Sequence, residues 1–243
     1  MAQIAKKSFS VFVVVLAVTV FSLFAVRSAA AQTVKSSIQK MSGWQSCSTC
    51  AGSGGAGPAS HISTAAGVSS PSMSGDSRVF TIAGTKAYAD ALWWKQLGAA
   101  NGATHLIYDL YFYLKTPQYA QAIEFDSNQA NGHMRWIFGT QCDIARGRWD
   151  VYANAQGSWT STGIPCGRPS AFKWHHLTWE FSRTSTKLTF VSVTLDGAKH
   201  YVNRTYTGKA SSVNELNVAF QLDQNSNHVA YSAWVDNVSL KYW

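Results

Sequence analysis

The chain has 243 residues, a formal charge of +8 and a charged fraction of only 13%, with ten Trp and ten Tyr. Its bases are scattered, so no basic run supports a nucleic-acid or polybasic membrane role. Nothing after residue 31 is long and apolar enough to span a bilayer, and the length fits one domain behind a leader.

Residues 1–31 read as a secretory leader. Lys6 and Lys7 precede an apolar run over 9–26, and Ala29-Ala30-Ala31 supplies a small-residue cleavage pattern before Gln32. Removing it takes away Lys6, Lys7 and Arg27 and no acid, leaving residues 32–243 with a formal charge of +5. A secreted, periplasmic or extracellular protein is expected, with no membrane attachment once the leader is cut. Its four cysteines allow three pairings, and Cys47 with Cys50 and Cys142 with Cys166 are the pairs expected.

Residues 32–75 are small, polar and rich in Gly and Ser, and are expected to join the sandwich through a first strand near 39–44. Gly52-Ser53-Gly54-Gly55-Ala56-Gly57 matches G-x-G-x-x-G in letters only. No apolar strand precedes it and no clear amphipathic helix follows, so it reads as a loop. Cys47 and Cys50 lack both the βαβ setting of a redox pair and the second ligand pair of a zinc site.

From residue 76 strands and polar turns alternate. Strands are expected at 78–83, 105–114, 121–128, 133–139, 148–154, 158–162, 174–183, 187–195, 200–206, 217–223 and 232–242. Residues 87–96 suit a strand or a helical turn. Asn131-Gly132 and Asp196-Gly197 mark turns. About ten to fourteen short strands and no long amphipathic helix imply an all-β antiparallel sandwich or barrel.

The stretch Gln121-Ala122-Ile123-Glu124-Phe125-Asp126-Ser127-Asn128 has two faces. Alternation sends Ile123 and Phe125 to a core and Glu124, Asp126 and Asn128 to the other side. In the same way Leu106, Tyr108, Leu110, Phe112 and Leu114 oppose Asp109, Tyr111 and Tyr113, and Trp149, Val151 and Ala153 oppose Asp150, Tyr152 and Asn154.

Trp174-His175-His176-Leu177-Thr178-Trp179-Glu180-Phe181, followed by Leu188 to Val193 and Leu195-Asp196-Gly197, resembles the W-H-H strand pair of laminin-G-like and pentraxin-like domains. Those are concanavalin A-like lectin/glucanase jelly rolls. Trp234-Val235-Asp236-Asn237-Val238-Ser239-Leu240 is similar to the last strand of secreted carbohydrate-binding sandwiches. Gly43-Trp44, Cys47, Cys50, the 121–125 strand and Trp174-His175-His176 are also similar to features of a group of secreted bacterial members without a settled function. The resemblance covers most of residues 40–243. It implies a jelly-roll sandwich of two antiparallel sheets and leaves the activity open, since the fold hosts lectins, hydrolases and lyases.

Retaining glucanases of this fold carry E-x-D-x-E or E-x-D-x-x-E on one strand. The resemblance makes Glu124 the nucleophile and Asp126 the tuning acid. Asn128 or Gln129 then stands where the proton donor belongs, and an amide cannot deliver that proton. An acid from another strand, Asp109 or Asp223, would be needed. Lyase chemistry finds residue types in Tyr111, Tyr113, His133, Arg135 and Gln221 but no lyase strand motif, and there is no G-x-S-x-G for acyl transfer. No cofactor is expected. Ca²⁺ has only the polar turn Asp223-Gln224-Asn225-Ser226-Asn227 to suggest it.

The expected function is therefore binding of an oligo- or polysaccharide, with the strands over 109–154 as the ligand face. Asp109, Tyr111, Tyr113, Glu124, Asp126, Asn128, Arg135, Tyr152, Asn154, Gln221 and Asp223 are its polar candidates, and Trp136, Trp149, Trp159 or Trp179 its walls. The alternatives are a polysaccharide-degrading enzyme using Glu124 and an adhesion or structural surface protein. The sequence is silent on oligomeric state.

Overall fold

The computed structural model describes residues 31–48 and 57–243, and only the backbone of 57–60. The expected leader and the pairing of Cys47 with Cys50 lie outside the described residues.

Seventeen strands occur among the described residues: β1 (Thr33–Lys35), β2 (Gln45–Cys47), β3 (Gly57–Val68), β4 (Ser77–Gly84), β5 (Ala89–Gly98), β6 (His105–Leu114), β7 (Ala120–Asn131), β8 (Met134–Phe138), β9 (Thr140–Asp143), β10 (Arg148–Ala153), β11 (Ser158–Pro165), β12 (Lys173–Arg183), β13 (Lys187–Leu195), β14 (Ala198–Thr207), β15 (Lys209–Ala210), β16 (Asn214–Gln224) and β17 (Tyr231–Tyr242). The outer sheet runs β3-β4-β17-β6-β12-β13-β14, with β1 also on β17. The inner sheet runs β2-β5-β16-β7, then β8 and β9 on the two halves of β7, then β10 and β11. This is a two-sheet antiparallel jelly-roll sandwich, as expected.

Alternation decides what fills the space between the sheets. Phe125 of β7 meets Phe112 of β6 at 5.1 Å, Phe220 of β16 at 5.4 Å and Trp149 of β10 at 6.2 Å between ring centroids. Trp149 packs edge-on against Trp179 at 5.3 Å. Asp196-Gly197 forms the two-residue hairpin between β13 and β14, both residues at positive φ (50° and 86°), the geometry such a turn demands.

The N-terminal segment departs from expectation. Residues 38–40 form a 3₁₀ turn instead of a strand, and a twelve-residue strand, β3, lies inside the Gly/Ser-rich stretch. Its composition hides a strand because pairing with β4 supplies what side-chain propensity does not. The ambiguous 87–96 range resolves as a turn at 87–88 followed by β5, which is held between β2 and β16.

Two polar knots fasten the outer sheet. His175 shares hydrogen bonds with Asp196 (2.7 Å) and the Ser170 carbonyl (3.2 Å), tying the loop before β12 to the β13–β14 hairpin. Fully buried Asp236 accepts from Gln39, Ser72, Met73, Ser74 and Asn237, with both the backbone and the hydroxyl of Ser74 donating. Burial alone would raise this carboxyl, but the Ser74, Ser72 and Met73 donors outweigh it and hold it at about 2. Cys142 and Cys166 are bonded, with Cα atoms 5.6 Å apart, which closes a segment worth about 3 kcal/mol on the chain-entropy account.

Asp236→Ala should cost about 1–3 kcal/mol in chemical denaturation, because the buried Gln39 amide loses its acceptor and the 72–74 loop loses its anchor. A loss below about 1 kcal/mol would show that the knot does not secure the sheet.

Candidate functional site

The concave face of the inner sheet carries a groove of about 490 Å³. Four neighbouring strands build its floor. Leu92, Trp94 and Gln96 come from β5; Glu215, Asn217, Ala219 and Gln221 from β16; Glu124, Asp126 and Asn128 from β7; Arg135 and Ile137 from β8. Tyr152 of β10 and Trp159 of β11 stand at one side, ring to ring at 5.5 Å. Gly139, between β8 and β9, lets this pair settle, since a Cβ there would come within 2.9 Å of Tyr152 Cβ and 3.4 Å of the Trp159 ring.

Register explains the floor. Gln221 stands opposite Glu124 and Leu92, Ala219 opposite Asp126 and Trp94, and Asn217 opposite Asn128 and Gln96. The small Ala219 leaves room above the sheet between Trp94 and Asp126.

The acids crowd one end of this face. Gln221 Nε2 donates to Glu124 Oε1 at 2.8 Å and to Asp223 Oδ1 at 2.9 Å, so one amide bridges two carboxyls. Asp126 Oδ1 accepts from the Thr140 backbone at 2.9 Å. Asp143 and Asp150 have arginine partners, Arg146 at 3.3 Å and 3.8 Å respectively. Among the described residues, no Lys, Arg or His forms an ion pair with Glu124, Asp126 or Asp223. Burial, then the neighbouring Asp223, Asp126 and Asp90, pushes Glu124 well above the usual carboxyl range. Burial likewise lifts Asp126 to about 7 against the Thr140 hydrogen bond, and Asp223 to about 8 against its Gln221 bond, with Asp90, Asp126 and Asp143 adding to the rise.

The groove thus gathers Glu124, Asp126, Asn128, Arg135, Tyr152 and Gln221 from the sequence-based candidates. Arg135 pairs with Glu215 at 3.2 Å, not with Glu124 or Asp126. Asp109, Tyr111 and Tyr113 do not join. Strand β6 lies in the other sheet, because the 3₁₀ turn Pro117–Tyr119 carries the chain across between β6 and β7. Asp109 is held there by His176 at 2.9 Å and by the Thr178 hydroxyl, Tyr111 stacks on His176 at 4.3 Å, and Tyr113 packs beside Trp174 and Trp234.

Trp149 is a correction: it points into the core with Trp136 and Trp179, all at most 1% exposed. Asn154 is another, fully buried and bonded in both directions to the Ile137 backbone as a turn lock. Of the four expected Trp walls only Trp159 reaches the groove. Trp94 was missed because Leu92 and Trp94 make the groove face of β5 apolar and blur its period of two. Of the two candidate second acids, Asp223 joins Glu124 through Gln221 and Asp109 lies on the opposite sheet.

Asn128 donates to Asn217 Oδ1 at 2.9 Å, and Gln129 donates to the Ala100 and Ala103 carbonyls on the other side of the strand. Neither can serve as proton donor. The loop after Asp223 is engaged by protein: Asn225 donates to the Gln118 carbonyl and Gln224 to that of Val229. Among the described residues, no three His, Cys, Asp or Glu side chains are placed to hold a metal ion.

No known protein-family profile matches the chain, and no curated protein does. Solved structures do. An endo-β-1,4-glucuronan lyase of Trichoderma reesei is 12% identical over 82% of this chain and 94% of its own, at a TM-score of 0.49. A mixed-linkage-glucan GH16 of Bacteroides ovatus, seen with a G4G4G3G product, is 10% identical over 82% and 94%, at 0.46. A carbohydrate-binding module of the β-sandwich superfamily is 8% identical over 82% and 57%, at 0.44. At these identities the likeness extends to the sandwich and no further. The two-sheet antiparallel sandwich seen here is the architecture that the W-H-H resemblance led one to expect.

The acid cluster sets the pH dependence of stability. A carboxyl whose folded value is raised stabilises the fold at low pH, and that contribution fades as pH climbs from the unfolded value near about 4 through the folded value. Asp236, depressed to about 2, acts in reverse and stabilises above about pH 4. Thermal stability should peak near about pH 4–5 and decline toward pH 8, and Asp223→Asn should flatten the decline. A melting temperature that rises steadily from pH 5 to 8 would contradict the cluster.

Proposed function

We propose that the protein is an exported carbohydrate-binding sandwich whose inner-sheet groove holds a polysaccharide chain. The observation that carries this is one open channel combining aromatic side chains, Trp94, Tyr152 and Trp159, with planar hydrogen-bonding groups on four adjacent strands. Aromatic rings cover the apolar C–H faces of a sugar, while amides and carboxyls pair with its hydroxyls. The volume lies within the usual range of ligand sites, about 300–1,000 Å³. Export rests on the leader-like residues 1–31 and agrees with the Cys142–Cys166 disulfide. Among the described residues, no helix is long and apolar enough to cross a membrane.

Binding is favoured over hydrolysis on the state of the acids. A retaining mechanism needs one ionised carboxylate beside one protonated carboxyl. Here burial raises Glu124, Asp126 and Asp223 together, with neighbouring acids adding to the rise at Glu124 and Asp223, so the nucleophile position is itself held toward the neutral form. The rival reading keeps one supporting observation, that Asp223 supplies from a neighbouring strand the second acid that Asn128 does not.

The test is a panel of soluble and insoluble polysaccharides, scored for capture of protein and for new reducing ends or unsaturated products. Capture without products is expected, with Trp94→Ala and Trp159→Ala each weakening it about tenfold or more, near 1.4 kcal/mol. Products abolished by Glu124→Gln would instead establish the enzyme. No capture and no products would leave the adhesion or structural reading.

A further inference from the structure

The groove is short of positive charge. Glu124, Asp126 and Glu215 line it, Asp223 lies next to Glu124 through Gln221, and Arg135 is the single cationic side chain in the lining among the described residues. That arginine is already paired with Glu215. The other cations at this end, Arg146 and Arg148, are turned to Asp143 and Asp150. Glu124 and Asp126 are nine-tenths buried or more, so water screens them weakly. Asn128, also lining the groove and 9% exposed, has an Oδ1 without a hydrogen-bond partner, an acceptor in want of a donor.

A neutral sugar hydroxyl offers donors but no charge. A uronate brings an anion to a face whose one lining cation is already paired, and it would oppose any ionisation of the neighbouring carboxyls. An ammonium group offers up to three donors and the missing positive charge in one small head. It would favour the ionised form of acids that otherwise keep their protons, the usual effect of an opposite charge at short range. The aromatic side chains are still needed for the rings that carry it.

Resting on the polysaccharide reading above, we infer that the ligand is an amino-sugar polymer, a chain of unacetylated or partly acetylated glucosamine type, with an ammonium seated against Glu124 and Asp126. Trp94 and Trp159 hold the sugar rings on either side, and the Asn128 carbonyl oxygen takes a donor from the same chain.

The experiment is calorimetric titration of the protein with glucosamine hexamer, N-acetylglucosamine hexamer, cellohexaose and a galacturonate hexamer, in mildly acidic buffer that keeps the amine charged. Glucosamine hexamer should bind about tenfold or more tighter than its acetylated form, and the galacturonate weakest. Added salt should shrink that preference. Glu124→Gln with Asp126→Asn should bring the ratio to about one, while Tyr111→Ala on the outer sheet leaves it intact. Unchanged melting of the double variant shows that it folds. Equal or tighter binding of the acetylated hexamer or cellohexaose would overturn the amino-sugar inference and keep the glycan reading. Tight binding of polylysine with no binding of glucosamine hexamer would show capture of cations alone and overturn it too. Binding of no hexamer at all would overturn both.

Discussion

The alternation of β7 is the constraint on which the rest depends. Phe125 sits between Phe112, Phe220 and Trp149 in the core, and the residues on either side of it, Glu124 and Asp126, line the groove. A slip of one residue would drive both carboxyls between the sheets and put Phe125 into water. The aromatic core therefore fixes the groove: the burial that holds the two sheets together also decides which acids face the ligand.

That arrangement carries a cost. Acids packed on a nearly dry sheet face repel one another and lose solvation. Gln221 offsets part of this by bridging Glu124 and Asp223, and the Thr140 N–H offsets more at Asp126. The remainder appears as retained protons. Sites that bind or react are where a fold tolerates such local conflict, and the two polar knots of the outer sheet show the opposite pattern. Asp236 has donors on both oxygens, and His175 is satisfied at both ring nitrogens. The polar knots of the outer sheet hold the structure, whereas Glu124, Asp126 and Asp223 of the inner sheet have no cationic partner among the described residues.

Much of the fold was legible because alternation needs only a local count. The ranges 105–114 and 187–195 were read to the residue, and the Asp196-Gly197 hairpin announced itself through residues that accept positive φ. The site was half legible. Glu124, Asp126 and Asn128 follow from one strand's period, but which strands neighbour it does not. Consecutive β6 and β7 lie in different sheets, so Asp109, Tyr111 and Tyr113 share the right pattern and the wrong surface. Trp94 escaped because its strand is apolar on both faces, and β3 because its residues are small and polar. Trp149 was misplaced although its own alternation with Tyr152 pointed it to the core.

The most direct test of the account is a structure of the protein with a bound oligosaccharide. The account places the sugar over Glu124 and Asp126, with Trp94 on one side and Trp159 on the other, and leaves the outer sheet bare. A sugar found instead against Tyr111, Tyr113 and Trp174 on the outer sheet would contradict it, and the inner-sheet acids would then need another explanation.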